Sequence, residues 1–261
     1  NNKGEIDYSD LNKKINSRTK FISLTHMSNV TGSITDFNIV KDQIKKLNIP
    51  IMIDGCQFIA HSTVNVQELD CDFYVFSGHK LYGPSGVGVL YMKDRWFEDF
   101  NPYQGGGDMI DEVDISDTTF AKGYSKFEAG TPPIAQVIGL GTSIDFISSL
   151  DLDKIFKYEK DLHNYTLNKL NSFNDISIYG ESSNKGAIIS FNILGVHAND
   201  LSMILDQKNV AIRTGHHCAQ PLMKYLDINS SARASFGIYN NKKDADIFID
   251  SLSEAKKFLS L

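Results

Sequence analysis

Cysteine is scarce in this chain. Cys56, Cys71 and Cys218 are the only three in 261 residues, an odd number too small for a disulfide framework, so a reducing compartment and at least one free thiol are expected. No apolar run approaches the ~18 residues of a membrane span, and the opening Asn-Asn-Lys-Gly-Glu lacks the apolar stretch of a signal peptide. The protein is therefore expected to be cytoplasmic and without a membrane partner. Because the sequence starts without Met, it is expected to be a processed product or a fragment, and an organelle matrix is the alternative if a targeting peptide lies ahead of it. Positive charge is not in excess: 26 Lys plus Arg face 32 Asp plus Glu, a net charge of -6. That balance argues against the basic surface with which proteins hold nucleic acid and favours a small-molecule or protein partner. There is no Cys-x-x-Cys and no His-x-x-x-His, and the consecutive His216, His217 and Cys218 cannot easily converge on one tetrahedral ion, so no metal site is expected. The Gly105 to Gly107 run lacks the strand-to-helix setting of a dinucleotide loop. No internal repeat is present.

What is there is globular, with 41% hydrophobic and 22% charged residues. Phe21 to Thr25 is a short apolar run. Phe37, Val40, Ile44 and Leu47 then recur at helical spacing, and Pro50 to Ile53 forms a second run, which together predict a βαβ unit. Further strands are expected at Phe73 to Phe76 and, after a Gly-Pro-Ser-Gly turn, at Val87 to Met92. Strands with so little polar alternation predict an α/β domain whose mostly parallel sheet is covered on both faces. Asn101 to Tyr124 reads as a long loop. After Pro132 and Pro133 the chain is mainly helical, with Ile155, Tyr158, Leu162 and Tyr165 as an apolar stripe and a helix stop near Asn174. Strands at Ile176 to Tyr179, Ala187 to Ile193 and Val210 to Arg213 then alternate with helices, the last beginning near Asp244. The expected division is a large domain over 1–150 and a smaller α+β domain over 151–261, the boundary lying between residues 150 and 175.

Polar residues gather where the apolar runs end. Asn29 follows the first run, Asp54 and Gln57 the second, and Ser77, His79 and Lys80 the third. Parallel neighbouring strands would bring all of these to one sheet edge, where open α/β sheets bind ligands. Asp54 alone reads equally as a turn or cap residue, and the Lys80 ammonium alone could snorkel outward. Together they suit a pyridoxal phosphate enzyme, in which a lysine desolvated in a cleft forms a Schiff base and an Asp keeps the pyridine nitrogen protonated. Cys218 reads either as a small buried side chain or as a thiolate favoured by a nearby helix N-terminus. Cys56 and Cys71 read as core residues, and His26, His61, His163 and His197 as surface or hydrogen-bonded structural histidines.

Five motifs, in order, carry a resemblance: Asp54-Gly-Cys-Gln57, Ser77-Gly-His-Lys80-Leu-Tyr-Gly-Pro84, Phe127-Glu-Ala-Gly-Thr131-Pro, Arg213-Thr-Gly-His-His-Cys218-Ala-Gln-Pro-Leu-Met223 and Arg233-Ala-Ser-Phe236. They resemble the SufS-type, or group II, cysteine desulfurases, which are fold-type I pyridoxal phosphate enzymes of the class V aminotransferase family. The resemblance runs from about residue 20 to the C-terminus. It implies a fold-type I large domain followed by the small α+β domain. Lys80 would hold pyridoxal 5'-phosphate, Asp54 would pair with its ring nitrogen and Gln57 with its ring hydroxyl. Ser77 and His79 would contact the phosphate, with Thr131 reaching the phosphate of the neighbouring subunit of a homodimer. Asn29, Arg213 and Arg233 would hold the substrate carboxylate.

The implied activity converts L-cysteine to L-alanine. Lys80 acts as base and Cys218 takes the sulfur as a persulfide, which passes to an acceptor of the SufE or SufU type for iron-sulfur cluster assembly. The alternatives are a selenocysteine lyase, another pyridoxal phosphate lyase or aminotransferase of this fold, and a non-catalytic scaffold derived from it. Two departures from the family stand out. Cys56 occupies a position where the family usually has alanine, and the family's N-terminal segment is absent, so these residues resemble the C-terminal two-thirds of a member.

Overall fold

A computed structural model describes residues 1, 3–45 and 47–259. The N-terminal half begins with α1 (Tyr8–Lys14) and then alternates β1 (Ile22–Thr25), α2 (Phe37–Ile44), β2 (Ile51–Asp54), α3 (Val66–Leu69) and β3 (Phe73–Ser77). Each helix starts where a side chain satisfies free backbone N–H groups. Asp36 accepts from Asn38 and Ile39 at the head of α2, and Asn65 does the same for Gln67 and Glu68 at the head of α3. Strands β1, β2 and β3 are parallel, and the register sets Thr25 opposite Asp54 and Asp54 opposite Val75. Their C-terminal ends therefore lie side by side. One face packs Ile51, Ile53 and Tyr74 against Phe37, Val40 and Ile44 of α2, each buried apolar side chain contributing roughly 1.5–3 kcal/mol.

The fourth strand, β4 (Gly88–Met92), joins β3 antiparallel with Ser77 opposite Gly88. The expected cover on both faces fails here, because β4 is the sheet's edge and Val89 and Leu90 are exposed among the described residues. The segment expected to be a loop carries a hairpin, β5 (Ile110–Val113) and β6 (Thr118–Phe120). Its turn closes as Asp114 N–H donates to the Asp117 carbonyl at 2.8 Å. Little of it is buried, so its apolar content gave no sign of a strand pair.

Two helices follow, α4 (Ile134–Ser148) and α5 (Leu152–Leu170), and then β7 (Ile176–Tyr179), β8 (Ile188–Ile193), α6 (Ala198–Asp206), β9 (Arg213–Gly215), α7 (Gln220–Tyr225), β10 (Ser231–Ser235) and α8 (Lys242–Phe258). The second sheet is antiparallel in the order β7-β8-β10-β9. Its core joins Ile189, Phe191 and Ala232 to Leu162 and Leu170 of α5, Leu201 and Leu205 of α6, and Phe248 and Leu252 of α8. The buried stripe of α5 differs from the apolar one expected. Glu159, Leu162, His163, Thr166 and Leu170 face inward, while Tyr158 is exposed and donates its hydroxyl to the Asn240 carbonyl at 2.8 Å. Polar residues turn inward because they find partners there: Glu159 pairs with His61 at 2.6 Å. That helix ends at Leu170 rather than near Asn174. The strand expected at Val210 to Arg213 begins only at Arg213, where pairing with β10 starts.

Candidate active site

The aligned ends of β2 and β3 place Asp54 beside Cys56, Ser77 and Lys80. The Cys56 N–H donates to Asp54 Oδ1 at 3.0 Å, the turn by which a strand-end Asp satisfies the backbone just beyond it. The Cys56 Sγ lies 3.6 Å from the Ser77 Oγ. Burial and the neighbouring Asp54 carboxylate push the Cys56 thiol above its ordinary value, and the Lys80 charge acts on it in the opposite sense. Cys56 is thus half-buried within the site, not a core residue as expected; Cys71 is in the core, its thiol pushed up to about 11 by burial.

Lys80 ends a short 3-10 turn, Gly78–Lys80, that carries the chain off the sheet edge. It is exposed. The desolvated cleft expected around it is not formed by the described residues, because the turn lifts the side chain out of the sheet instead of burying it. Ser143 donates its hydroxyl to the Leu81 carbonyl and braces the turn from α4. Behind Asp54, Tyr74 and Phe58 enclose His26. Its ring stacks on Phe58 with centroids 3.7 Å apart, and its Nδ1 lies 3.1 Å from the Tyr74 hydroxyl. Burial lowers His26 to about 4, so the ring is neutral at pH 7. His26, His61 and His163 have structural partners, and His197 caps α6 by accepting from Asn199 N–H.

A second group comes from the other sheet. Arg233 on β10 donates from Nη1 to the Asn29 carbonyl at 2.7 Å, and Asn29 donates from Nδ2 to the His217 carbonyl at 2.5 Å. Asn29 lies just beyond β1, whose end is joined to β2 as His26 N–H donates to the Asp54 carbonyl at 2.8 Å. It therefore ties the Asp54 edge to the segment carrying Cys218. The Cys218 thiol is exposed, and Arg213 Nη2 reaches its Sγ at 3.6 Å. The expected helix N-terminus is a weaker neighbour, because α7 has only six residues and starts beyond Ala219. Both His217 and Cys218 adopt left-handed backbone, at φ 54° and 58°, a conformation that costs roughly 1–2 kcal/mol for a non-glycine residue.

The donor set fits a pyridoxal phosphate cofactor. Asp54 is a half-buried carboxylate and Lys80 a free amine, and neither has an ion pair among the described residues. A cationic ring nitrogen and an aldehyde are the groups that complement them. Ser77 supplies a hydroxyl nearby. The Arg233 Nε is buried without a partner among the described residues, leaving an open donor for a carboxylate. Gln57, His79 and Thr131 form no side-chain hydrogen bond among the described residues, and His79 and Thr131 are exposed. No group of three or more His, Cys, Asp or Glu able to hold a metal occurs among the described residues.

Residues 1–248 match the aminotransferase class-V family. The chain belongs to that family. It is 44% identical over 261 residues to a cysteine desulfurase of Wigglesworthia glossinidia brevipalpis, covering 98% of this chain and 63% of the relative. It is 42% identical over 255 residues to a probable cysteine desulfurase of Halalkalibacterium halodurans, with coverage of 98% and 63%. Among solved structures, the cysteine desulfurase CsdA of Escherichia coli superposes with a TM-score of 0.92 at 34% identity, covering 97% of this chain and 63% of that one. The fold is thus the fold-type I arrangement, and this family member spans about 63% of the length of the curated relatives it matches.

Two features of the site carried no signal in the sequence. One is the enclosure of His26 by Phe58 and Tyr74, which depends on a fold contact. The other is the left-handed pair at His217 and Cys218, where the usual marker, glycine, is missing at both positions.

Proposed function

We propose that this protein is a pyridoxal phosphate-dependent cysteine desulfurase that converts L-cysteine to L-alanine. The observation that supports the reading is the hydrogen bond from Asn29, just beyond β1, to the carbonyl of His217, the residue before an exposed, arginine-flanked thiol. A lyase or aminotransferase needs the lysine and the aspartate but has no use for that thiol.

Asn29 and Arg233 bind the substrate carboxylate, the guanidinium offering two parallel N–H groups, and Arg213 stands by with a further positive charge. Lys80 Nζ is the cofactor's attachment point and the base that takes the proton from the substrate Cα. Asp54 and Gln57 hold the ring, and Ser77 and His79 the phosphate. When bound, the cofactor supplies a sink for the electrons released at Cα. The Cys218 thiolate attacks the substrate sulfur. An S–S bond forms as the Cβ–S bond breaks, Cβ keeps the electron pair and takes up a proton, and Lys80 Nζ returns to Cα the proton it took. The products are alanine and a Cys218 persulfide, balanced without an outside oxidant. The short elbow restricts the reach of the sulfur, so an acceptor protein of the SufE or SufU type, feeding iron-sulfur cluster assembly, accelerates turnover. The working unit is a homodimer in which Thr131 reaches the neighbouring subunit's phosphate.

The test is alanine and protein-bound persulfide measured after addition of L-cysteine, with Cys218→Ala alongside. The variant should keep the cofactor's visible absorbance and form no persulfide, and borohydride should mark Lys80 in a peptide digest. A variant that desulfurates at the parent rate removes Cys218 from the reaction.

A further inference from the structure

Cys218 has no anchor of its own. It is exposed, and its only side-chain hydrogen bond among the described residues is the 3.6 Å contact from Arg213. Yet it stands on two consecutive left-handed residues, neither of them glycine, a backbone that persists only where its surroundings hold it. One bond of the turn itself, Ala219 N–H to the His216 carbonyl at 2.9 Å, helps close it. The remaining contacts belong to His217. Its Nε2 lies 3.0 Å from both the carbonyl and the hydroxyl oxygen of Ser231, and its own carbonyl accepts from Asn29. The ring is buried and Ser231 is fully buried on β10, two residues before Arg233. The ring N–H donates to Ser231, and Nδ1 has no partner among the described residues, so the imidazole is gripped at one end only.

We propose that His217 is a positioning residue for the Cys218 thiol. Its ring pins the elbow to Ser231 of β10, whereas Arg233 is held from the other side by the Asn29 carbonyl. The inference rests on the reading of Cys218 as sulfur acceptor. Geometry supports its direction: losing the ring anchor frees the left-handed pair to relax and carries Sγ away from Arg213, while the carboxylate contacts, which hang on β10 and Asn29, stay in place.

Two variants of the cofactor-loaded enzyme separate anchoring from bulk. Asn tolerates left-handed backbone but is too short to reach Ser231, whereas the amide of Gln extends to the position of the imidazole Nε2. Alkylation of Cys218 by iodoacetamide at pH 7, followed by peptide mass, should change by about threefold or more in His217→Asn as Sγ leaves its place beside Arg213. Its kcat for alanine formation should fall by about tenfold with KM for L-cysteine nearly unchanged, the split expected of a misplaced nucleophile. The Gln variant should return both rates to about the parent values. Parent rates in the Asn variant, or a Gln variant no better than Asn, would overturn the proposal. If the Asn variant does not fold, the Gln variant decides alone: parent rates uphold the anchor and reduced rates refute it. Alkylation needs no turnover, so it reports the elbow even where Cys218→Ala desulfurates and the functional reading itself fails.

Discussion

Removing His61 should be among the most damaging single changes in this chain. Glu159 on α5 has a side chain only 1% exposed, and its Oε2 meets His61 Nδ1 at 2.6 Å, with His61 13% exposed; its Oε1 has no partner among the described residues. A carboxylate so placed depends on one neighbour. Truncating that neighbour leaves a buried charge uncompensated, which costs about 3–5 kcal/mol, whereas replacing both groups with apolar ones is close to neutral. For a chain of this size, about 2–4 °C of melting temperature follows each kcal/mol, so His61→Leu should melt roughly 6–20 °C lower. Thermal unfolding of His61→Leu, Glu159→Leu and the double variant forms the assay. The double variant should recover most of the loss, giving a strong coupling in the cycle. A fall of less than about 2 °C in His61→Leu, or two single effects that simply add, would refute the argument. The pair also joins the segment just after Gln57 to α5, so its loss should loosen the side of the site that carries Asp54.

Acid should weaken the fold well before the carboxylates titrate. Burial pushes His26, His163 and His217 each down to about 4, while the unfolded imidazoles protonate near 6.5. Between those values the unfolded chain binds more protons, so stability that is complete above about pH 6.5 is lost as pH falls toward 4, on the order of 2 kcal/mol per ring by pH 5. The urea midpoint should be clearly lower at pH 5 than at pH 7, and an equal or higher midpoint would contradict the buried, neutral rings. Lys185, pushed down to about 8 by burial, acts at the other end, adding stability as pH rises from about 8 toward 10. At the site, Arg233→Lys keeps the charge but loses the planar fork, and should raise KM for L-cysteine by about tenfold or more; an unchanged KM would remove Arg233 from carboxylate binding.

The sheet edge was legible because each apolar run stops at a chemically conspicuous residue. Ile51 to Ile53 ends in Asp54 and Phe73 to Phe76 in Ser77, and parallel pairing then aligns those stops. β10 was not legible, because Ser-Ala-Arg-Ala-Ser has neither β-branched nor aromatic side chains; it is a strand because β8 and β9 pair with it on both sides and small residues let the surrounding helices approach. The Tyr158 stripe misled for a related reason: periodicity weighs hydrophobicity alone, while partners at His61 and Asn240 decide that Glu159 turns in and Tyr158 out. The site follows the same logic. Its two groups can each be read from local motifs, but the hydrogen bond that links them runs between residues 188 positions apart, from Asn29 to the carbonyl of His217. Local pattern supplies the reactive groups; the contacts that the loop after β1 makes with the second sheet join them. The contacts of His217 are made through a buried ring and a backbone carbonyl, neither of which leaves a mark on hydrophobic periodicity.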